Sequence, residues 1–209
     1  MNARAETPPL AWPATLTDGP VRLRPIRPRD QRRWRSLREA NRAWLEPWDA
    51  TTPEGSPGGP ATFQAYVRNL ARQARAGESW PWVIEFGGEF VGQLTVAGIS
   101  RGAMLSGTIG YWVAQEFAGR EIAPTAVALA FDHAVTDGGL HRLEIAIRPE
   151  NAASLRVAVK LGFRDEGLRV RFLHVAGAWR DHRVFALTKE DVPGGLMRRW
   201  RLTRRAAVG

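Results

Sequence analysis

Cysteine is absent from all 209 residues. That absence removes disulfides, thiolate metal sites and a cysteine nucleophile together, and it agrees with a reducing, cytoplasmic setting. Lysine is almost absent as well. Lys160 and Lys189 are the only ones, so arginine carries nearly all of the positive charge. No apolar run approaches the ~20 residues that cross a bilayer, which predicts no membrane span. The opening MNARAETPPLAWPATL has no apolar stretch behind basic residues, so no signal peptide is expected. Four scattered histidines without cysteine predict no metal site.

What is present describes one ordinary domain. Hydrophobic residues make up 44% and charged residues 24%, as in a globular chain long enough to bury a full core. The formal charge is +9. Abundant Ala, Gly, Pro and Arg beside so little Lys fits a composition-biased genome, in which basic surface accumulates without a partner. The other reading is attraction to a polyanion or an anionic cofactor. Two clusters carry that reading, Arg22–Arg42 and RRWRLTRR at Arg198–Arg205, and through these basic ends the chain would contact ribosome or RNA.

Residues 1–19 are proline-rich and weakly patterned, which predicts a flexible N-terminal arm. VRLRPI (Val21–Ile26) alternates apolar and basic side chains, as a strand with one wet face does. Pro28 and Asp30 then open a helix running to about Arg42. TTPEGSPGGP (Thr51–Pro60) holds no regular element and reads as a loop beside a site. Phe63, Val67, Leu70 and Ala74 recur at helical spacing. WPWVIEF (Trp80–Phe86) and EFVGQLTV (Glu89–Val96) flank Gly87-Gly88, a two-residue hairpin signal. SGTIGYWV (Ser106–Val113) is the next strand, followed by a helix at Pro124–Thr136 and the strand LEIAI (Leu143–Ile147). A helix at Ala153–Leu161 and strands at Arg171–Ala176 and His182–Thr188 complete the core. The tail from Pro193 is basic and reads as peripheral. This order predicts an α+β fold with a central mixed, mostly antiparallel sheet and helices on both faces.

Two motifs carry chemistry. The first is AGREIAPTA (Ala118–Ala126) after the strand that ends at Val113. A strand feeding a helix whose first turn has free N–H groups makes an anion site without side chains, and Pro124 suits that first turn. The second is RPENAASLRVAVKLGF (Arg148–Phe163). Asn151 and Ser154 stand where a strand ends and a helix begins, so an amide and a hydroxyl can cap the helix and reach an amide-rich ligand. Gly162 supplies a left-handed stop. A plain N-cap is the simpler reading of the same residues.

Placed in this order, the two motifs resemble the cofactor-binding half of GNAT-type acetyltransferases. FLHVAGAWRDHRVFALT (Phe172–Thr188) and VRLRPIRPRD (Val21–Asp30) resemble the RimJ/RimL branch, the ribosomal-protein N-terminal acetyltransferases, and the WRDH string at Trp179–His182 is most like the RimJ side. The resemblance spans residues 20–191, leaving 1–19 as the arm and 192–209 as a basic C-terminal tail. It implies acetyl-CoA as cosubstrate, no metal, and transfer of acetyl to an amine, often the α-amine of a protein N-terminus. A small-molecule amine, or a non-catalytic module binding acyl-CoA or the ribosome, are the alternatives. The family's pyrophosphate turn reads roughly Gln/Arg-x-x-Gly-x-Gly/Ala. Laid on it, Ala118 takes the first polar position, Gly119 and Arg120 the usual flanking places, and Ala123 the last place. Glu121 departs from the pattern by standing where a glycine is usual. Trp112 and Val113 on the preceding strand, and Ile122, Asn151 and Ser154, complete the implied cofactor contacts.

The implied reaction is direct attack of an amine on a thioester, aided by backbone N–H groups, a base and an acid. The related branch uses the serine of this Asn-x-x-Ser element as the acid, which marks Ser154; capping alone is the alternative. Glu144 lies on the strand face opposite Leu143, Ile145 and Ile147 and is the candidate base, with a solvated strand face as the plain reading. The glutamate that some RimL-type relatives carry in the next strand is Leu173 here. Trp44, Trp48, Trp80 and Trp82 would line the acceptor cleft, with Glu85 offering an anion to a substrate ammonium; ordinary core and rim packing is the plain reading of each. His174 and His182 are further candidates for the base, with a structural or acceptor-lining place as the alternative. The Glu121 carboxylate would have to turn away from phosphate or pair with a cation such as Arg120.

Overall fold

The structure is a computed structural model that describes residues 12–206. Residues 1–11 of the expected arm lie outside the described residues. An eight-stranded sheet carries the fold. Strands β1 (Leu16–Asp18), β2 (Val21–Pro25), β3 (Trp80–Phe86) and β4 (Glu89–Ser100) lead to β5 (Ser106–Val113). Strands β6 (Arg142–Ile147), β7 (Arg164–Val175) and β8 (Ala178–Thr188) follow. The helices are α1 (Gln31–Ala40), the short α2 (Arg42–Leu45), α3 (Phe63–Arg75), α4 (Ile122–Thr136), α5 (Ala152–Leu161) and α6 (Leu196–Ala206). Across the sheet the order is β1-β2-β3-β4-β5-β6-β8-β7. Every neighbouring pair is antiparallel except β5 with β6.

Local chemistry explains the register. Gly87 and Gly88 both take positive φ, 59° and 87°, as the type I′ form of a two-residue hairpin turn requires. Phe86 accordingly pairs with Glu89. Strand β3 is buried on both faces. Trp80, Trp82 and Ile84 join one core cluster with Phe131 of α4, and Val83 joins a second with Leu37 of α1 and Phe63 and Val67 of α3. The sheet is therefore covered on both sides, as the alternation of side chains across a strand requires.

Two terminal segments are more ordered than their sequences suggest. Part of the expected arm, Leu16–Asp18, is strand β1, paired to β2. The tail read as peripheral is largely α6, whose Leu196, Met197 and Trp200 are buried. The cause lies in α4, whose apolar side chains point all round the helix and are buried almost throughout; such a helix needs cover on its outer side. Asp132 of α4 accepts the first N–H groups of α6, from Leu196 at 2.6 Å and from Met197 at 3.0 Å. Arg201 and Arg204 then pair with Asp18 of β1. Part of the other basic cluster is internal too, since Arg24 is buried between Asp30 and Glu85. Among the described residues, no helix is long and apolar enough to cross a membrane.

The feature that positions the site is a split in the sheet. Strands β5 and β6 pair only through Ser106, Gly107 and Thr108 with Arg142, Leu143 and Glu144. Beyond that point β5 stays with β4 to Val113, and β6 stays with β8 to Ile147. The sheet opens between them, and α4 and α5 start beside the opening.

Candidate active site

The opening widens into a cleft of about 930 Å³, at the upper end of the ~300–1,000 Å³ usual for small-ligand sites. Gly110, Tyr111, Trp112 and Val113 form its strand wall. A Cβ on Gly110 would meet nothing within 4 Å, so the wall is recessed there.

The turn from Ala118 to Ala123 forms one end. Among the described residues, the N–H groups of Gly119, Arg120, Glu121, Ile122 and Ala123 donate to no acceptor, and all but that of Arg120 belong to residues lining the cleft. A run of free N–H groups at the start of a fifteen-residue helix is a site for an anion. Glu121 is the N-cap and sits in the left-handed region, at φ 58° and ψ 17°. Glycine adopts that conformation without steric cost, which is the backbone reason for glycine at this place. The Glu121 carboxylate binds Lys160 Nζ at 2.6 Å. Arg120, the expected partner, instead lies over the Phe117 ring at 5.3 Å. Lys160 and Arg156 stand one turn apart on the cleft side of α5.

Asn151 and Ser154 line the middle of the cleft. The Asn151 Oδ1 accepts the Ser154 N–H at 3.0 Å and caps α5; Gly162 ends the helix at φ 74°. Opposite Ser154 is a residue that the sequence reading left without a chemical role. The Tyr111 hydroxyl is buried and makes no hydrogen bond of regular geometry. Burial pushes its pKa up to about 12, and the neighbouring Ser154 hydroxyl opposes the rise in part. Burial thus keeps the Tyr111 hydroxyl protonated at neutral pH and able to donate a hydrogen bond.

The far end is aromatic. Trp34, Trp44, Trp48, Tyr66 and Trp112 line it. Trp44 donates Nε1–H to the Val113 carbonyl at 3.1 Å, and Arg148 stacks 5.5 Å from the Trp48 ring centre. Arg38 sits over Trp112 and grips Asp49 through both of its terminal nitrogens. Each carboxylate on the cleft wall has a cation: Asp49 has Arg38, Glu121 has Lys160, and Glu150 has Arg148.

Several candidates lie elsewhere. Trp82 is fully buried, donates to the Ala14 carbonyl at 3.0 Å and packs on Trp80 and His133, so it is core. Glu85 is buried under Arg24, 2.6 Å from its Nε, away from the cleft. Glu144 is held by Arg142 at 2.7 Å and Arg169 at 3.1 Å and is not on the cleft wall. His174 does not line the cleft either. Its ring meets Thr51 at 2.7 Å and its carbonyl accepts the Thr51 N–H at 2.8 Å, which fastens the loop after Trp48 to β7. Among the described residues, no group of three or more His, Asp or Glu could hold a metal ion.

This site suits coenzyme A. The free N–H row with Lys160 and Arg156 beside it offers the anion site a diphosphate needs, and the cleft runs from it along β5 past Ser154 and Tyr111. Comparison agrees. Residues 21–164 match the family model described as an acetyltransferase (GNAT) domain. The RimJ of Mycobacterium smegmatis, solved with CoA-disulfide, superposes with a TM-score of 0.86 at 41% identity, over 93% of this chain and 97% of that one. The ribosomal protein uS5-alanine N-acetyltransferase of Escherichia coli is 27% identical over 186 residues, 86% of this chain and 93% of that one. The Bacillus subtilis protein named probable N-acetyltransferase YjcK is 36% identical over 101 residues, a match spanning 48% of this chain and only 56% of the relative. The chain belongs to the GNAT family of acetyl-CoA-dependent N-acetyltransferases and is of its RimJ/RimL type.

Proposed function

We propose that this acetyltransferase acts on the α-amine of a protein N-terminus, with a ribosomal protein as the natural acceptor and the cytoplasm as its place of work. One observation carries the choice of amine: the cleft carboxylates Asp49, Glu121 and Glu150 are all neutralised by cations. Each therefore has an oxygen turned to a guanidinium or ammonium group, so among the described residues no unpaired carboxylate lines the cleft to meet an incoming ammonium. An α-amine, with a pKa of about 7.7–8.0, is substantially deprotonated near neutral pH and needs little help, whereas a lysine amine near ~10.4 needs a strong base. The name of the E. coli relative, a ribosomal protein uS5-alanine N-acetyltransferase, supports a ribosomal protein as the acceptor.

Bound acetyl-CoA supplies the activated acetyl thioester. The chain's own residues then have distinct tasks. The turn from Gly119 to Ala123, with Lys160 and Arg156, holds phosphate. Asn151 fixes the start of α5 and so the place of Ser154. Ser154, backed by the protonated Tyr111, offers a hydrogen bond to the departing sulfur. Trp48 and Trp112 shape the entry for the acceptor chain. Glu144 has no part in this scheme, because its carboxylate faces Arg142 and Arg169.

The test is turnover of two peptides of one sequence, one with a free N-terminus and no lysine, the other N-terminally blocked with one lysine. Activity is expected on the first, rising with pH through an apparent pKa of about 8 that belongs to the substrate. Equal activity on the blocked peptide, or a profile unchanged by the acceptor's own pKa, would reject the α-amine assignment.

A further inference from the structure

Helix α6 reaches the phosphate-facing turn through two buried side chains. Trp200, 2% exposed, donates its Nε1–H to Thr125 Oγ1 at 2.9 Å. Thr125, 1% exposed, donates its hydroxyl to the Glu121 carbonyl at 2.7 Å. A threonine bonding back to the carbonyl four residues earlier is common within helices. Here the carbonyl belongs to the left-handed N-cap, and the N–H groups on either side of it are those left without acceptors. The indole is a donor only, so Oγ1 must accept from it, and its single proton is directed to Glu121. The Thr125 N–H reaches the same carbonyl at 3.2 Å, a longer contact than the hydroxyl makes.

A second strut runs from the same helix. Arg199 Nη1 donates to the Leu161 carbonyl at 3.3 Å, at the end of α5, the helix that presents Ser154 and Lys160 to the cleft. Helix α6 thus braces both helices that border the cofactor end of the cleft, and it lies wholly beyond residue 164, where the family match stops.

We infer that Thr125 and Trp200 are positioning residues for cofactor affinity: α6 fixes the left-handed turn at Glu121 and thereby aims the phosphate-binding N–H groups. The inference rests on the reading that this turn takes the pyrophosphate of coenzyme A. A left-handed non-glycine residue returns to the ordinary region when its support is lost. That return would rotate the peptide planes of the turn away from the ligand.

The experiment measures the dissociation constants of CoA and of S-acetylpantetheine, which has no pyrophosphate, for four proteins: wild type, Thr125→Val, Thr125→Ser and Trp200→Phe. Thr125→Val keeps the shape and loses the hydroxyl, and should weaken CoA about fivefold, the scale of one net hydrogen bond. Thr125→Ser keeps the hydroxyl and should stay within about twofold of wild type, with kcat at saturating cofactor similarly preserved in all three variants. Trp200→Phe strands no buried donor and should weaken CoA less than Thr125→Val, which guards against a mere folding defect. S-acetylpantetheine should bind all four proteins alike. Unchanged CoA affinity in both Thr125→Val and Trp200→Phe would overturn the inference while leaving the turn as the phosphate site. Equal losses for both ligands would overturn it as a general loosening of the fold. Wild-type affinity no higher for CoA than for S-acetylpantetheine would remove the turn reading itself, and the inference with it.

Discussion

Replacing Glu121 by glycine should strengthen CoA binding about tenfold, or ~1.4 kcal/mol. The residue holds two unfavourable features together. Its backbone is left-handed at φ 58°, which costs a side-chain-bearing residue ~1–2 kcal/mol relative to its ordinary region. Glycine removes that cost but loses more chain entropy on folding, ~0.5–1 kcal/mol, so stability should change little. The larger effect on affinity is electrostatic. A phosphate charge ~6 Å from the carboxylate is repelled by ~1–3 kcal/mol for effective dielectrics of ~60 to ~20. Lys160 offsets part of this, but the pair is partly exposed, 45% and 37% by side chain, and such pairs contribute at most ~1 kcal/mol. With the carboxylate gone, Lys160 is released to the phosphate. Calorimetric titration of CoA against wild type, Glu121→Gly and Glu121→Gln separates the two features, since glutamine loses the charge and keeps the backbone cost. Both variants should bind more tightly, and the gain should shrink in high salt. Weaker binding by both variants would refute the reasoning and make the Glu121–Lys160 bridge an organiser of the turn.

Ser154→Ala should lower kcat about ten- to a hundredfold with little change in CoA affinity, and Tyr111→Phe should lower it less, as rapid-mixing turnover and calorimetry will show. Because Tyr111 titrates only at about 12, its loss should leave the shape of the pH–rate profile intact. Glu144→Gln should keep kcat and the pH profile near wild type, and a hundredfold loss would reinstate it as the base. Burial lowers the His182 pKa below 6.5, so its contribution to stability is complete above about pH 6.5 and is lost as the pH falls from there toward its folded value. His182→Leu should flatten the fall in melting temperature across that acid window, and an unchanged slope would contradict the assignment.

Local signals were legible and long-range pairings were not. Gly87-Gly88, the Asn151 cap and the Gly162 stop each act within a few residues, so spacing alone predicts them. The partner of Glu121 and one of the two partners of Glu144 are set by tertiary structure: Lys160 lies 39 residues from the first and Arg169 lies 25 from the second, whereas Arg142 is two residues from Glu144 on the same strand. Strand β3 misled in another way. WPWVIEF is almost continuously apolar, a pattern of burial on both faces, so Trp82 belongs to the core, and Glu85 survives there only because Arg24 lies beside it. The same logic makes α6 readable in retrospect. Helix α4, IAPTAVALAFDHAVT, has no polar face, and the segment able to cover it, carrying Leu196, Met197 and Trp200, was hidden among arginines.

The most direct measurement is to incubate ribosomal proteins with free N-termini, the enzyme and acetyl-CoA, and to locate the acetyl groups by peptide mass spectrometry. The proposed function predicts acetyl on an N-terminal α-amine, lost in Ser154→Ala and absent from internal lysines. Acetylation confined to lysine side chains, or turnover only with small amines such as polyamines and aminoglycosides, would contradict it.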